Sequence, residues 1–176
     1  GDSLALAVDS VKIGVIYPFT GGSAAAGGGL RIGAQLAADI ANREMPHLDM
    51  EIAKNTGIEN LDGARIILLF RDHKGDPRVG ADFAEKLITK EKVHGIIGCY
   101  QSSVTRTVSE VCERYGIPMI NGTSSSPALT QRGFQCFWRT TPHDKRFTRD
   151  LFELLKGLIE GKLQGVPRVP KKEIRT

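Results

Sequence analysis

The stretch IIGCYQSSVTRTVSEVCERYGIPMINGTSSSP, residues 96–127, leaves a chain of this kind few folds to choose from. Val104, Val108, Val111, Cys112 and Tyr115 recur with helical period, which predicts a helix over 104–115. Short apolar runs at 93–98 and 117–121 flank it and read as strands. Polar turns follow each strand, at 100–103 and 122–126. Strand, helix and strand at this spacing make a βαβ unit, whose crossover is right-handed. The two turns then lie side by side at the carboxyl ends of neighbouring parallel strands, where open α/β sheets bind ligands. Their hydroxyls, with free N–H groups at a helix start, suit an anion such as a carboxylate.

The rest of the chain repeats the alternation. Residues 11–17 predict a first strand, 18–29 a glycine-rich loop passing close to a ligand, and 30–43 a helix. Residues 45–62 are polar and predict a mobile excursion. The run 64–71 is strongly apolar and predicts a central strand. Asp76 and Pro77 form a helix start, and Val79, Phe83, Leu87 and Ile88 mark the buried face of a helix over 77–90. A helical turn at 127–131, a strand at 135–141 and a helix carrying Phe147, Leu151, Leu154, Leu155, Leu158 and Ile159 complete the order, with an extended tail at 165–176. This order predicts an α/β fold: a doubly wound, mainly parallel sheet with helices on both faces.

With 176 residues, 40% hydrophobic and 25% charged, the chain can bury one real core. No apolar run approaches the roughly 20 residues of a membrane span. The opening GDSLALAVDS lacks the basic and apolar regions of a signal peptide. The net charge of +4 is spread out, and its densest cluster, 168–175, has no interleaved aromatic residue, so no nucleic-acid partner is expected. Cys99, Cys112 and Cys136 show no metal spacing; Cys112 and Cys136 read as packed groups, and Cys99, beside the candidate site, as packed or reactive. His47, His73, His94 and His143 are scattered, and no metal is expected.

Three sharper motifs each have a plainer reading. No GxGxxG occurs between Gly21 and Gly33, so no nucleotide cofactor is expected, although Asp72 could serve a ribose as well as cap a turn. Gly122-Thr123-Ser124-Ser125-Ser126 begins like a nucleophile elbow, with His143 and Asp144 downstream, but Ser126 replaces the last glycine. Asn121-Gly122-Thr123 matches a glycosylation sequon. Ser102 and Ser103 could cap the following helix, and 123–126 could be an ordinary Ser/Thr loop.

The segments KIGVIYPFTGGSAAAGGGLRIGAQLAADIAN, DHKGDPRVGADFAEKLI, IIGCYQSSVT and GIPMINGTSSSPALTQRGFQCFWRTTPHD together resemble the type I periplasmic solute-binding proteins for branched-chain amino acids, which feed ABC importers. The resemblance covers nearly all of 11–144. It implies two α/β lobes that close on a ligand, the first holding the α-carboxylate and α-ammonium of an amino acid. It implies a carboxylate contact from Ser102 and contacts from the turn holding Thr123 and Ser125, with Ser103 and Ser124 beside them. Tyr100 falls where side-chain specificity is set. An aromatic contact found in some members is missing at Ala26, and a disulfide found in some cannot form between Gly75 and Gln101.

The same resemblance places 1–144 in a first ligand-binding lobe. It places 145–176 in a hinge-following helix and the start of a truncated second lobe, with 171–176 approaching a strand. It implies binding without chemistry, a periplasmic or extracellular location, and ABC transporter membrane subunits as partners of the full-length protein. One wall alone predicts weak ligand affinity, and the unpaired lobe face predicts a homodimer. A Rossmann-like enzyme and a sensory receptor domain are the competing readings.

Overall fold

Short runs rich in Ile and Val become strands because branched side chains pack well on a pleated surface. The amphipathic stretches between them become the helices that cover it. The computed structural model describes residues 9–162, 164 and 165. The strands are β1 (Ser10–Tyr17), β2 (Arg65–Asp72), β3 (Gly95–Gly98), β4 (Met119–Asn121) and β5 (Phe137–Arg139). The helices are α1 (Ala24–Ala41), α2 (Pro77–Thr89), α3 (Ser102–Tyr115) and α4 (Asp144–Glu160). All strand pairs are parallel, in the order β2-β1-β3-β4-β5. The chain steps one way from β1 to β2 and the other way from β2 through β3 to β4. Right-handed crossovers therefore put α1 on one face and α2 with α3 on the other. This is the doubly wound sheet that the sequence predicts.

The core lies under α2 and α3. Ile16, Leu87, Ile96, Val104, Val108, Cys112 and Met119 meet there, each at most 1% exposed. Among the described residues, the opposite face is covered only over β1 and β2, where α1 packs. Val15, Ile97, Ile120 and Trp138 form one row across the sheet in register. Val15 is buried, but Ile120 is 47% and Trp138 52% exposed. Along α4 no residue is buried, and Phe147, Leu151, Phe152 and Leu154 are all exposed.

Four expectations change. First, β2 is an edge strand rather than a central one. Its apolar residues are explained by helices on both faces, while Asn42 occupies its open edge, donating to Ile66 O at 2.8 Å and accepting from Ile66 N–H at 2.7 Å. Second, the glycine-rich loop ends early, because α1 begins at Ala24. Three alanines favour the helix, and Gly27 permits it: a Cβ there would sit 1.9 Å from Pro18 O. Third, the 45–62 excursion carries 3-10 turns at Glu51–Ala53 and Glu59–Leu61, with Ala53 fully buried. Fourth, α3 starts two residues before the predicted helix, so Ser102 and Ser103 lie in its first turn and neither caps it. The start of α2 is as expected, with Asp76 Oδ1 accepting from Arg78 N–H at 2.7 Å and Val79 N–H at 3.3 Å. The expected extended tail beyond residue 165 and the strand approach at 171–176 lie outside the described residues.

Candidate functional site

The end of β3 and the end of β4 are laced into one wall. Asn121, fully buried, donates from Nδ2 to Gly98 O and Cys99 O, both at 2.8 Å, and accepts Ser124 N–H on Oδ1 at 2.9 Å. Thr105 reaches up from α3, its Oγ1 2.7 Å from Ser124 Oγ and accepting Cys99 N–H at 3.2 Å. The Ser124 hydroxyl lies 2.9 Å from Cys99 O and 3.0 Å from Tyr100 O. Thr123 Oγ1 donates to Cys99 O at 3.0 Å. Ser126 N–H reaches Ser102 Oγ at 3.4 Å, closing the seam. Gly98 lets the end of β3 lie close against β1: its φ is +156°, and a Cβ would sit 2.4 Å from Ile16 O.

Most of the predicted site residues therefore meet at one rim. Among the described residues, the Ser102 and Ser125 hydroxyls donate to no acceptor, and Thr123 keeps a lone pair. Tyr100 presents its ring, 40% exposed, at the first turn. Ser103 is exposed and shares with Ser102 a pocket of about 330 Å³, lined also by Arg106, Ser126, Leu129 and Arg132. Thr123, Ser125 and Tyr100 stand outside that pocket, on the open wall beside it. Ser124 is the correction: it is 1% exposed and its hydroxyl is spent inside the seam, so its side chain holds the turns together rather than facing a ligand. The first turn of α3 contains no acidic residue, so its unpaired N–H groups and the helix dipole offer positive potential beside these hydroxyls.

The enzyme motifs dissolve in this geometry. Ser124 Oγ has no histidine among its partners, and His143 Nδ1 instead accepts Arg146 N–H at 3.2 Å, capping α4. Asp72 braces two turns, accepting from Phe19 N–H and Lys74 N–H at 2.9 Å and from Thr20 Oγ1 at 2.6 Å. The sequon is inaccessible because Asn121 is buried and fully bonded. Sequence reasoning missed the roles of Asn121, Thr105 and Arg139. The one usable signal was an amide ending an apolar strand, since a polar group buried there must find partners.

A family model described as "Periplasmic binding protein" matches residues 10–156. The chain belongs to the periplasmic binding protein family. It is 31% identical over 134 residues to Leu/Ile/Val-binding protein homolog 3 of Brucella melitensis, covering 76% of this chain and 32% of that protein. It is 33% identical over 139 residues to Leu/Ile/Val-binding protein BraC3 of Rhizobium johnstonii, covering 79% and 34%. The chain thus spans about a third of the length of the curated relatives it matches. Among solved structures it is similar to LivJ of Streptococcus pneumoniae in complex with isoleucine, with TM-score 0.67, 27% identity and coverage of 84% of this chain and 39% of that one. It is also similar to the leucine-binding protein LivK of Thermotoga maritima, with TM-score 0.64, 26% identity and coverage of 85% and 36%. These relatives are solute-binding proteins, not enzymes.

Two predictions arise around this periplasmic binding protein wall. Burial pushes the Cys99 thiol well up, and burial with the neighbouring Cys136 pushes Cys112 up to about 12. Cys99 is therefore a packing group and not a reactive one. A thiol reagent at pH 8 is expected to label at most one cysteine, the half-buried Cys136, in the folded chain and all three after unfolding.

The second prediction concerns acid. His73 is fully buried, and burial holds its pKa below 6.5 despite Asp72 and a backbone bond acting the other way. Partial burial would raise Asp72, but bonds from the Thr20 hydroxyl and from the N–H groups of Lys74, Phe19 and Thr20 outweigh it and hold the carboxyl below 3.8. In both cases the folded chain binds the proton more weakly than the unfolded chain. The His73 contribution is therefore complete above about pH 6.5 and lost as pH falls through its depressed pKa. That of Asp72 is complete above about pH 4 and lost below it. Melting temperature followed by circular dichroism is expected to be level above pH 7 and to fall in these two acid windows.

Proposed function

We propose that this chain is the first lobe of a solute-binding component of an ABC importer, periplasmic or extracellular, that binds an amino acid or a related small carboxylate. The observation that carries the reading is the seam: Ser102 at the start of α3 accepts from Ser126 N–H and Thr123 donates to Cys99 O, joining the two turns into one rim of adjacent parallel strands. Under this reading Ser102 Oγ and Ser125 Oγ, with N–H groups of the α3 first turn, receive the carboxylate. Thr123 accepts from the ammonium, Tyr100 borders the ligand side chain, and Ser103 flanks the carboxylate. Residues up to 144 form the ligand lobe, and 145–176 belong to the hinge-following helix and the beginning of a second lobe. The isoleucine complex of LivJ supports an aliphatic amino acid as the first ligand to try.

A thermal-shift screen of amino acids, aromatic acids and nucleotides tests this. A gain in melting temperature with leucine or isoleucine supports it, and a gain with NAD alone contradicts it. The same reading assigns the exposed Ile120 and Trp138, in register with the half-buried Ile97, to contact with a second copy. Sedimentation as a dimer supports that assignment, and a monomer at high concentration counts against it.

A further inference from the structure

The backbone of the ligand turn is gripped from behind by the segment that leads into α4. Arg139, at the end of β5, donates through Nη1 to Ser126 O at 2.7 Å and to Ser124 O at 3.4 Å, and through Nη2 to Thr130 Oγ1 at 3.1 Å. Between these, Ser125 O accepts the N–H of Asp144, the first residue of α4, at 2.9 Å. Asn121 O accepts Thr140 N–H at 3.0 Å. Residues 139–144 thus hold four carbonyls of 121–126, while the outward side of the same turn carries Thr123 and the Ser125 hydroxyl. Because no residue of α4 is buried, this grip is the main fixed point of its N-terminal end. A displacement of the turn therefore passes directly to α4, and a displacement of α4 to the turn.

We infer that Arg139 is a positioning residue that couples occupancy of the Ser102–Ser125 wall to the pose of α4; this rests on the wall being the ligand site. The planar guanidinium suits the task, since one fork spans two carbonyls and a hydroxyl. A lysine supplies a single ammonium and cannot reach all three at once.

Hydrogen exchange on the full chain tests the coupling, using wild type, Arg139→Lys and Arg139→Ala, each without ligand and with L-isoleucine. Without ligand, Arg139→Ala is expected to speed exchange of the Asp144 amide about tenfold, with the amides in the middle of α2 unchanged. With L-isoleucine, wild type gains protection at Asp144, Arg139→Lys keeps part of the gain and Arg139→Ala loses it. A merely structural arginine would alter basal exchange without this graded loss of ligand response. Equal Asp144 exchange in ligand-free wild type and Arg139→Ala, or an undiminished ligand response in Arg139→Ala, overturns the coupling. If calorimetry finds no L-isoleucine binding to wild type, the wall is not an L-isoleucine site and the coupling to its occupancy falls with it, while the ligand-free comparison decides separately whether Arg139 holds the turn to the start of α4.

Discussion

Asn121→Ala is expected to destabilise the chain by about 3 kcal/mol and to remove ligand capture with it. The side chain is fully buried and bonds Gly98 O, Cys99 O and Ser124 N–H. Cys99 O keeps the Thr123 and Ser124 hydroxyls, so the full penalty falls on Gly98 O and Ser124 N–H. Each buried group left without a partner costs about 1–3 kcal/mol. For a chain of this size, about 3 kcal/mol corresponds to a fall of about 6–12 °C in melting temperature. Asn121→Asp separates bonding from space-filling, since it keeps the volume but puts a carboxylate against two carbonyl oxygens. It is expected to be no more stable than Asn121→Ala at neutral pH in a urea melt. An Asp variant as stable as wild type would mean that the amide donors contribute little.

The second large effect comes from neighbouring glycines of α1 that should respond in opposite directions. At Gly27 an added Cβ would lie 1.9 Å from Pro18 O, a backbone atom that can move only by reshaping the first turn. Gly27→Ala is expected to cost about 3 kcal/mol, the upper part of the usual overpacking range. At Gly29 nothing lies within 4 Å of the added carbon. Gly29→Ala should therefore stabilise by about 0.5–1 kcal/mol, the ordinary helix preference for alanine over glycine. Urea denaturation of the two variants side by side measures both signs. Loss of stability in both would show that the glycine run at the start of α1, and not the Pro18 contact alone, is the sensitive feature.

Periodicity made much of this architecture readable. The spacing of Val104, Val108, Val111 and Cys112 fixed α3, and the buried positions agree. Tyr115, on the same predicted face, is 40% exposed and bonds Glu85 instead. Strand position was not readable, because an edge strand covered on both faces is as apolar as a central one. The run RIILLFRD carries no mark of the Asn42 side chain that closes its edge, since that contact is tertiary. The glycine run misled for a related reason: three successive glycines read as a loop, whereas the helix that the preceding alanines favour depends on the fit of Gly27 against Pro18, a tertiary contact.

At the candidate site the polar turns were legible because hydroxyls clustered at two strand ends stand out against apolar runs. Which hydroxyl faces outward was not legible. Ser124 and Ser125 are chemically identical neighbours, and only the packing of Asn121 and Thr105 turns one inward. The grip of Arg139 was invisible for the same reason, since its partners are backbone carbonyls 13 and 15 residues earlier.

Calorimetric titration of L-isoleucine into wild type, Ser102→Ala, Ser125→Ala and the double variant tests the shared wall most directly. Each single substitution should weaken binding about tenfold or more, since a hydroxyl bond to a charged partner contributes about 1.5–3 kcal/mol. The double variant should lose less than the sum of the two, because both hydroxyls serve one carboxylate. Wild-type affinity in either single variant would contradict a carboxylate held jointly by the two turns.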